Sequence, residues 1–535
     1  MVLSLPSNSR NIAPLWYSRI SSIIFIYSGA LSLNALYIQS IGSGLGIYSG
    51  LFEISILSQI FELLILVLGS LILMSWPNLA ILNYTLIPGR GEAAAPTKEY
   101  SLIVLISTLG SILLVSTSDL ISLYLSIELQ SFGVYILASL YRNSDPAVSA
   151  GLKYYLIGGL SSCLILFGCS LIYSYSGLTN LESIQNILSA QSASSNNILW
   201  GIYLGIIILI IGLLIKIGAA PLHNWAPDVY DNSPTVVTIW LTIMPKISIL
   251  VFLIALHIKL GIISNNIIYS NITNSLLRDA PLLITDSIIN NNGAALTIIL
   301  KNLLLISSLL SLLIGTISGL YQTKIKRLLA YSSISHLGFI LLALSLNSEQ
   351  SIESVIFYII QYSITNLNIF IIIISLGLFI YPYYYLYNFE PRSGGQAIDI
   401  NFISQFKGIF FCNPIISICL TISLFSMAGI PPLLGFFAKQ FVLSSSLENG
   451  YYFMSLLGII VSIISACYYL KIIKLLHTEN IEYSYGGAPR YNHYLIPNTH
   501  SFIISTLTLI ILLFVFKPSI LLNISTIISL SLFYC

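Results

Sequence analysis

Charged side chains are scarce in this sequence. Only 7% of its 535 residues are Asp, Glu, Lys or Arg, whereas 56% are hydrophobic, and the mean hydropathy is +0.91. Soluble domains carry about 25% charged residues, so this composition excludes a soluble globular protein. The net charge of +2 is spread through loops and gives no reason to expect nucleic acid as a partner. The chain is predicted to be an all-α, polytopic membrane protein.

Cofactor-binding motifs are also missing. The sequence has no C-x-x-C pair, no P-loop, no glycine-rich dinucleotide turn and no haem-attachment motif. No histidine joins the six cysteines at metal-ligand spacing, and small apolar positions on helices explain them more simply. These cysteines are Cys163, Cys169, Cys412, Cys419, Cys467 and Cys535. We therefore expect no metal and no cofactor in this chain.

Long apolar runs are what the sequence has instead. A run of about twenty residues can cross a bilayer, and we count thirteen such segments. They cover residues 17–39, 54–76, 100–117, 119–141, 150–176, 198–229, 235–260, 295–319, 325–346, 352–381, 413–447, 450–475 and 500–516. Residues 519–533 are apolar but short, and either cross the membrane or lie along its surface. The stretches 77–99, 261–293 and 382–412 are predicted to be connections, so residues 1–535 form a single membrane domain.

The distribution of basic residues supports this count. With thirteen spans, fourteen of the 21 Lys and Arg residues fall on the side of the N-terminus, four fall on the other side and three lie inside spans. The four are Lys259, Arg278, Lys301 and Lys517. Basic residues concentrate on the cytoplasmic side of membrane proteins. The bias therefore predicts an N-terminus on the cytoplasmic or matrix side.

The first interrupted span carries two lysines. Lys216 ends an apolar run and is followed by Gly218-Ala219-Ala220-Pro221, which breaks a helix because proline lacks an N–H and clashes one turn back. Lys246 follows Pro245 inside the next span. A lysine near the bilayer centre costs about 3 kcal/mol, and broken helices at that depth are tolerated only where they face protein or water. The pattern indicates a buried hydrophilic site that moves ions or protons.

A second interrupted span repeats the pattern. Gly429-Ile430-Pro431-Pro432 breaks the segment, and Lys439 follows about two turns later. The two broken spans are five segments apart, so they cross the membrane in opposite directions. Paired broken helices of this kind are typical of inverted repeats with a site at their interface. The repeats are predicted at about 100–260 and 295–475.

Other titratable residues lie inside or near the spans. Glu128 lies near the middle of its span, and a buried carboxylate is either protonated or paired, so we expect it to pair with Lys216. His336 is a plausible relay, although a simple hydrogen-bonded histidine explains it equally well. The three buried lysines could instead snorkel to the headgroups, but they lie beside helix breaks and away from loops.

Five further titratable residues have weaker signals. Lys301 lies close to one end of its span and is expected to snorkel. His223, Asp228 and Asp231 could line a proton uptake route from the matrix, although a solvated loop is at least as plausible. Glu62 lies within the second span, and the sequence offers no account of it beyond packing against a partner subunit.

Four stretches resemble one family. LSIELQS, LIKIGAAPLHNWAPDVYDNSPT, KIKRLLAYSSISHLGF and MAGIPPLLGFFAKQF are similar to the antiporter-like membrane subunits of respiratory complex I. The resemblance covers about residues 100–475. The long form of the family has fourteen helices, and the first is expected to be absent here.

The resemblance implies proton translocation driven by quinone reduction elsewhere in the complex. Glu128 would be the carboxylate of the ion pair, Lys216 its partner and Lys246 the connecting lysine, while Lys439 would face the exit or the next subunit and His336 would be a relay. NADH, FMN, iron–sulfur clusters and ubiquinone would be bound by other subunits.

The resemblance also implies partners and a location. The partners would be other membrane-arm subunits, including neighbouring antiporter-like subunits, and lipids such as cardiolipin. The chain would lie in the mitochondrial inner membrane with its N-terminus in the matrix. The alternative is a stand-alone cation/proton antiporter, to which the same motifs belong by descent, whereas three buried lysines argue against a purely structural scaffold.

Overall fold

The computed structural model describes residues 14–38, 44–75, 99–141, 144–190, 196–260, 292–386, 399–478 and 497–534. The predicted connections at 77–99 and 261–293 lie almost wholly outside these ranges, as do residues 387–398 of the connection predicted at 382–412. The described part of the chain is helical apart from one small hairpin and short irregular turns. The all-α fold class predicted from composition is confirmed.

The first half contains nine helices among the described residues, in an order that follows the predicted spans. They are α1 (Pro14–Ile38), α2 (Ile56–Met74), α3 (Tyr100–Val115), α4 (Leu120–Ala138), α5 (Asp145–Ser176), α6 (Leu181–Ala190), α7 (Asn196–Ile217), α8 (Trp225–Asn232) and α9 (Thr235–Lys259). Strands β1 (Leu45–Ile47) and β2 (Phe52–Ile54) form an antiparallel hairpin between α1 and α2.

The second half continues with nine more described helices. They are α10 (Asn292–Leu320), α11 (Ile325–Leu346), α12 (Glu349–Leu386), α13 (Ile409–Cys412), α14 (Pro414–Ala428), α15 (Leu434–Glu448), α16 (Tyr452–His477), α17 (Asn498–Leu513) and α18 (Ser519–Tyr534). Short 3-10 turns cover Ile403–Phe406 and Phe514–Phe516.

The helices agree with the thirteen predicted spans. Eleven helices of the described residues are long and apolar enough to cross a membrane. Each corresponds to a predicted segment, and the remaining two predicted spans are α3, with 16 residues, and the pair α14–α15. The chain is therefore a multi-span membrane protein with about thirteen crossings.

Contacts between loops support the alternation of the spans. We call the end that holds Lys153 and Lys324 the basic end, and the other the opposite end. Loops and helix ends that are assigned to one side by counting spans contact one another. The pairs at the basic end are Lys153–Asp228, Lys324–Asp231 and Lys326–Asp399. The pairs at the opposite end are Lys259–Glu53, Asp119–Asn180 and Asn449–Ser348.

The tail helix α18 lies at the opposite end. Its Ser525 hydroxyl is 3.5 Å from the Glu353 carboxylate near the start of α12. Two turns later, Ser531 lines a cavity of about 390 Å³ together with Glu53 and Lys259, which also lie at that end. Ser525 and Ser531 therefore both lie near the opposite end, which favours the interpretation that α18 lies along the membrane surface.

Both broken spans end their first helix in the same way. Gly218 and Gly429 have φ angles of 81° and 83°, in the left-handed region that glycine adopts without steric cost. In each case the glycine and the next residue both donate their N–H groups to one carbonyl of the last turn, that of Leu214 or Phe425. These caps satisfy carbonyls that a helix end would leave unpaired. The equivalence of the two repeats stays a prediction.

Three helices form the buried centre of the molecule. The most apolar windows of α9, α11 and α12 are each 94% buried inside the chain, whereas that of α1 is 28% buried. A helix that is enclosed by protein can carry polar side chains without exposing them to lipid. The predicted connecting lysine and the predicted histidine relay lie on two of these helices.

Candidate functional site

Glu128 and Lys216 form an ion pair between α4 and α7. The Lys216 ammonium is 3.1 Å from Glu128 Oε1, and the two side chains are 7% and 15% exposed. This is the pairing expected from the sequence. Lys216 is the penultimate residue of α7, so the pair lies directly beside the Gly218 break. A pair in low dielectric at a helix end can change its geometry with small backbone movements.

Lys246 joins the two halves of the chain. It lies on α9, and its ammonium donates to the Ser333 hydroxyl of α11 at 2.8 Å. The side chain is 3% exposed, and its ammonium also lies 5.5 Å from the centre of the Tyr230 ring. Lys246 is therefore buried and in contact with both halves, as the expected connecting position requires.

His336 lies at the same depth as Lys246. Each is eleven residues from the start of its helix at the basic end, which corresponds to about 16 Å along the helix. The imidazole Nδ1 lies 2.7 Å from the Tyr358 hydroxyl, and Nε2 lies 3.3 Å from the Tyr469 hydroxyl. Both ring nitrogens thus meet groups that can donate or accept a proton, which allows a relay and equally a satisfied structural histidine.

Lys439 lies inside the chain. It is 6% exposed, and its ammonium donates to the carbonyl of Ala428 at 2.9 Å. Ala428 is the last residue of α14, so the ammonium meets a carbonyl that the break leaves without a helical partner. The ammonium also lies 5.7 Å from the Phe339 ring centre on α11. Within this chain, Lys439 therefore faces the broken helix instead of an outer surface.

The acidic residues after the first break form ion pairs. Asp228 contacts Lys153 at 3.1 Å and also the Arg327 guanidinium, and Asp231 contacts Lys324 at 2.7 Å. Partial burial opposes ionisation of Asp228, but Lys153 and Arg327 outweigh it and hold the pKa of the carboxyl below its ordinary value. Both aspartates lie on a helix instead of a loop and tie α8 to α5 and α11, and Asp231 is buried whereas Asp228 is 33% exposed.

His223 is also buried, with 8% exposure, and its Nδ1 lies 3.2 Å from the Pro221 carbonyl. Burial lowers the pKa of this imidazole, which favours its neutral form. A neutral histidine beside the break can both accept and donate a proton.

A second buried ion pair went unnoticed in the sequence. Lys326 is 1% exposed and lies 2.5 Å from Asp399, and it also donates to the carbonyl of Ser233. The Asp399 carboxylate accepts bonds from the backbone N–H and the hydroxyl of Thr235, the first residue of α9. A carboxylate at a helix N-terminus is favourable. Asp399 therefore fixes the start of the helix that carries Lys246.

Two lysines near the opposite end have simpler surroundings. Lys259 pairs with Glu53 of the hairpin at 2.5 Å. The Lys301 ammonium lies 4.7 Å from the centre of the Tyr451 ring, beside the turn after α15. Neither contacts the buried groups described above, and the position of Lys301 agrees with the expected location near a membrane surface.

The sequence motifs match a known family. The profile described as NADH:quinone oxidoreductase/Mrp antiporter, TM, matches residues 117–278 and 282–465, which together are more than half of the chain. The chain belongs to this family.

Individual members of the family are similar over most of the chain. NADH-ubiquinone oxidoreductase chain 2 of Rhizopus oryzae is 43% identical, and the alignment covers 100% of this chain and 98% of that protein. NADH-quinone oxidoreductase subunit N of Pelagibacter ubique is 34% identical, with 72% and 70% covered. This protein therefore groups with those named chain 2 and subunit N, and it carries the buried lysines and Glu128.

Solved structures share the fold. A chain of respiratory complex I from Thermus thermophilus has a TM-score of 0.66 at 22% identity, with 96% of this chain and 94% of that chain covered. A chain of the Mrp complex from Dietzia sp. has a TM-score of 0.72 at 18% identity, with 97% and 93% covered. At these identities the likeness concerns the fold alone.

Proposed function

We propose that this chain is a proton-translocating membrane subunit of respiratory complex I, the NADH:ubiquinone oxidoreductase. Protons would move along a buried axis formed by Glu128, Lys216, Lys246, His336 and Lys439, coupled to quinone reduction in other subunits. The family membership supports the assembly, and the buried titratable groups support the transport role.

The observation that carries this proposal is the hydrogen bond from Lys246 to Ser333. It connects α9 of the first half to α11 of the second half at mid-depth, 2.8 Å between heavy atoms. Three residues along α11 from Ser333 lies His336, whose imidazole meets two tyrosine hydroxyls. A lysine enclosed this deeply is rare in membrane proteins unless it serves transport.

Electrostatic interaction between the groups would drive the transfer. Two unit charges about 6 Å apart at an effective dielectric near 20 interact by roughly 3 kcal/mol. Separating Glu128 from Lys216 therefore changes how tightly that lysine holds its proton, and the released proton would pass through water to Lys246. Lysine suits this role because arginine stays charged.

In this proposal the two halves act in series. The Glu128–Lys216 pair beside the first break would receive protons from the basic end, and Lys439 beside the second break would deliver them. The ammonium of Lys439 already bonds the Ala428 carbonyl at the break. Water would collect around the remaining free carbonyls there, because backbone groups at membrane depth need partners.

The stand-alone cation/proton antiporter is the second candidate. The likeness to the Mrp complex chain keeps it open, because the fold suits both assemblies. The 43% identity to a chain 2 protein over the whole length favours the complex I subunit. In that assembly the partners would be other membrane-arm subunits and lipids such as cardiolipin, and the redox cofactors would belong to other subunits.

Purification in a mild detergent separates the two candidates. We expect the chain to co-migrate with proteins that carry flavin and iron–sulfur clusters, because a subunit of a redox complex stays attached to them. The measurement is the absorption of flavin and iron–sulfur centres in the fraction that contains the chain. Migration of the chain alone, with intact transport of cations in vesicles, would favour the antiporter instead.

The orientation in the mitochondrial inner membrane is a separate prediction. The charge bias predicts that Met1 and the Lys324–Arg327 cluster lie in the matrix. A cysteine introduced at Tyr321, which is 82% exposed and close to Lys324, should react with a membrane-impermeant reagent in inside-out vesicles only. A cysteine at Tyr452, which follows the turn at the opposite end and is 68% exposed, is the control and should react from the other side. Reversed labelling would overturn the orientation.

A further inference from the structure

Three aromatic side chains pack together beside the end of α7, and one of them contacts Lys246. They are Tyr154 of α5 and Trp225 and Tyr230 of α8, and we call them the aromatic bridge. Their exposed fractions are 8%, 5% and 1%. The mechanism above leaves them without a role, although Trp225 and Tyr230 link the backbone beside Lys216 to the Lys246 ammonium through successive contacts.

Trp225 holds the end of α7. Its indole Nε1 donates to the carbonyl of Ile215 at 2.9 Å, and Ile215 directly precedes Lys216. The same carbonyl also accepts the backbone N–H of Gly218 at 3.1 Å, so the indole is a second donor to the backbone from which the Lys216 side chain extends. A shift of Trp225 therefore moves Lys216 relative to Glu128.

The Trp225 indole packs against the other two rings. Tyr154 stacks on Trp225 with ring centres 5.0 Å apart and an interplanar angle of 27°. Tyr230 meets the same indole edge to face, at 6.2 Å and 87°. Rings packed in this way move as a unit, because protein interiors are close-packed and transmit displacement.

Tyr230 reaches the second lysine. The Lys246 ammonium lies 5.5 Å from the centre of the Tyr230 ring, which is within the range of a cation–π interaction. The Tyr230 hydroxyl is buried and has no hydrogen-bond partner among the described residues. The ring is thus the part of Tyr230 in contact with Lys246.

We propose that the aromatic bridge couples the Glu128–Lys216 pair to Lys246, with Trp225 and Tyr230 acting as positioning residues for the two lysines. Opening of the ion pair shifts the end of α7, Trp225 follows through its bond to Ile215, and the Tyr230 ring moves relative to the Lys246 ammonium. The two lysines then change their proton affinity together, without direct contact. This inference rests on the proposed proton axis.

The experiment compares variants in the intact complex, reconstituted into vesicles. Trp225→Phe keeps an aromatic ring but removes the indole donor, Tyr230→Leu removes the ring, and Tyr230→Phe removes only the hydroxyl. Trp240→Phe is the matched control, because Trp240 is 1% exposed and its indole also makes one buried bond, to Ser107 at 3.1 Å. Protons moved per electron are measured on assembled complex only.

The bridge predicts a pattern across these variants. Trp225→Phe and Tyr230→Leu should each lower protons per electron by about threefold, in line with the loss of one buried interaction, at an unchanged electron-transfer rate per complex. Tyr230→Phe and Trp240→Phe should match the wild type. The double variant should be no worse than the worse single variant, because residues that act in one chain of contacts are not additive.

Several results would overturn the bridge. They are normal pumping by both single variants, additive losses in the double variant, or an equal loss in Trp240→Phe. If Tyr230→Leu does not assemble, Tyr230→Met fills similar volume without a ring face and takes its place. Normal pumping after Lys216→Met would instead refute the proton axis itself, so failure of the bridge and failure of the axis are distinguishable.

Discussion

Replacement of Lys216 by methionine should abolish most proton translocation while the complex still assembles. The lost group is one member of a buried ion pair, with Glu128 at 3.1 Å. Removing one partner of such a pair is usually strongly destabilising because a charge stays behind, but Glu128 can neutralise itself by taking a proton. The measurement is protons moved per electron in reconstituted vesicles, together with the amount of assembled complex.

Two companion variants make this prediction specific. Lys216→Arg keeps the ion pair but should also fail to pump, because a guanidinium does not release its proton. Lys259→Met is the matched control, since Lys259 also pairs with a glutamate, Glu53, at 2.5 Å, but at the opposite end and away from the axis. It should pump normally. A normal ratio of protons to electrons in Lys216→Met would contradict the assigned role.

The spans could be predicted from the sequence because bilayer thickness fixes their length. The segment predicted at 325–346 coincides with α11 (Ile325–Leu346) at both ends. The breaks in the spans could also be predicted, because glycine followed by proline rarely continues a helix at membrane depth. The amphipathic helix α6 and the β1–β2 hairpin were missed, since neither is apolar enough or long enough to produce a periodic signal in so hydrophobic a chain.

The buried charges and the Glu128–Lys216 pair could be predicted, but the hydroxyl partners of Lys246 and His336 could not. A lysine or glutamate inside a span is rare and therefore conspicuous. Their hydroxyl partners are not conspicuous, because serine and tyrosine are abundant here, with 34 tyrosines in the chain. These partners are Ser333, Tyr358 and Tyr469. Only the packing of α11 against α9, α12 and α16 reveals which hydroxyls meet Lys246 and His336.

The ion pairs at the basic end could not be predicted from the sequence, for a different reason. Lys326 and Asp399 are 73 residues apart, and Asp399 lies in a stretch that was predicted to be a plain connection. Charged residues in loops are usually solvated, so nothing in the sequence singled them out. The structure shows that Asp399 bonds the first residue of α9 and so helps to fix the helix of Lys246. The support of the site thus comes from contacts that local patterns do not encode.

The last prediction concerns Lys439. Lys439→Ala should lower pumping strongly and leave folding intact, because it removes the proposed terminal acceptor without leaving an unpaired charge. The folding cost is the lost bond to the Ala428 carbonyl, at 2.9 Å, and a single hydrogen bond contributes about 1 kcal/mol. Water can replace the ammonium at the break, where the backbone already lacks helical partners.

Lys439→Glu should be milder than Lys439→Ala, since a carboxylic acid that carries its proton can donate to the same carbonyl and later release the proton. Lys301→Ala is the control, because the Lys301 ammonium also faces an aromatic ring, at 4.7 Å, but lies near a membrane surface. The assay is quinone-coupled proton uptake with electron transfer measured alongside. Pumping at the wild-type level by Lys439→Ala would make Lys439 structural, and the proton path would then have to leave Lys246 and His336 by another route.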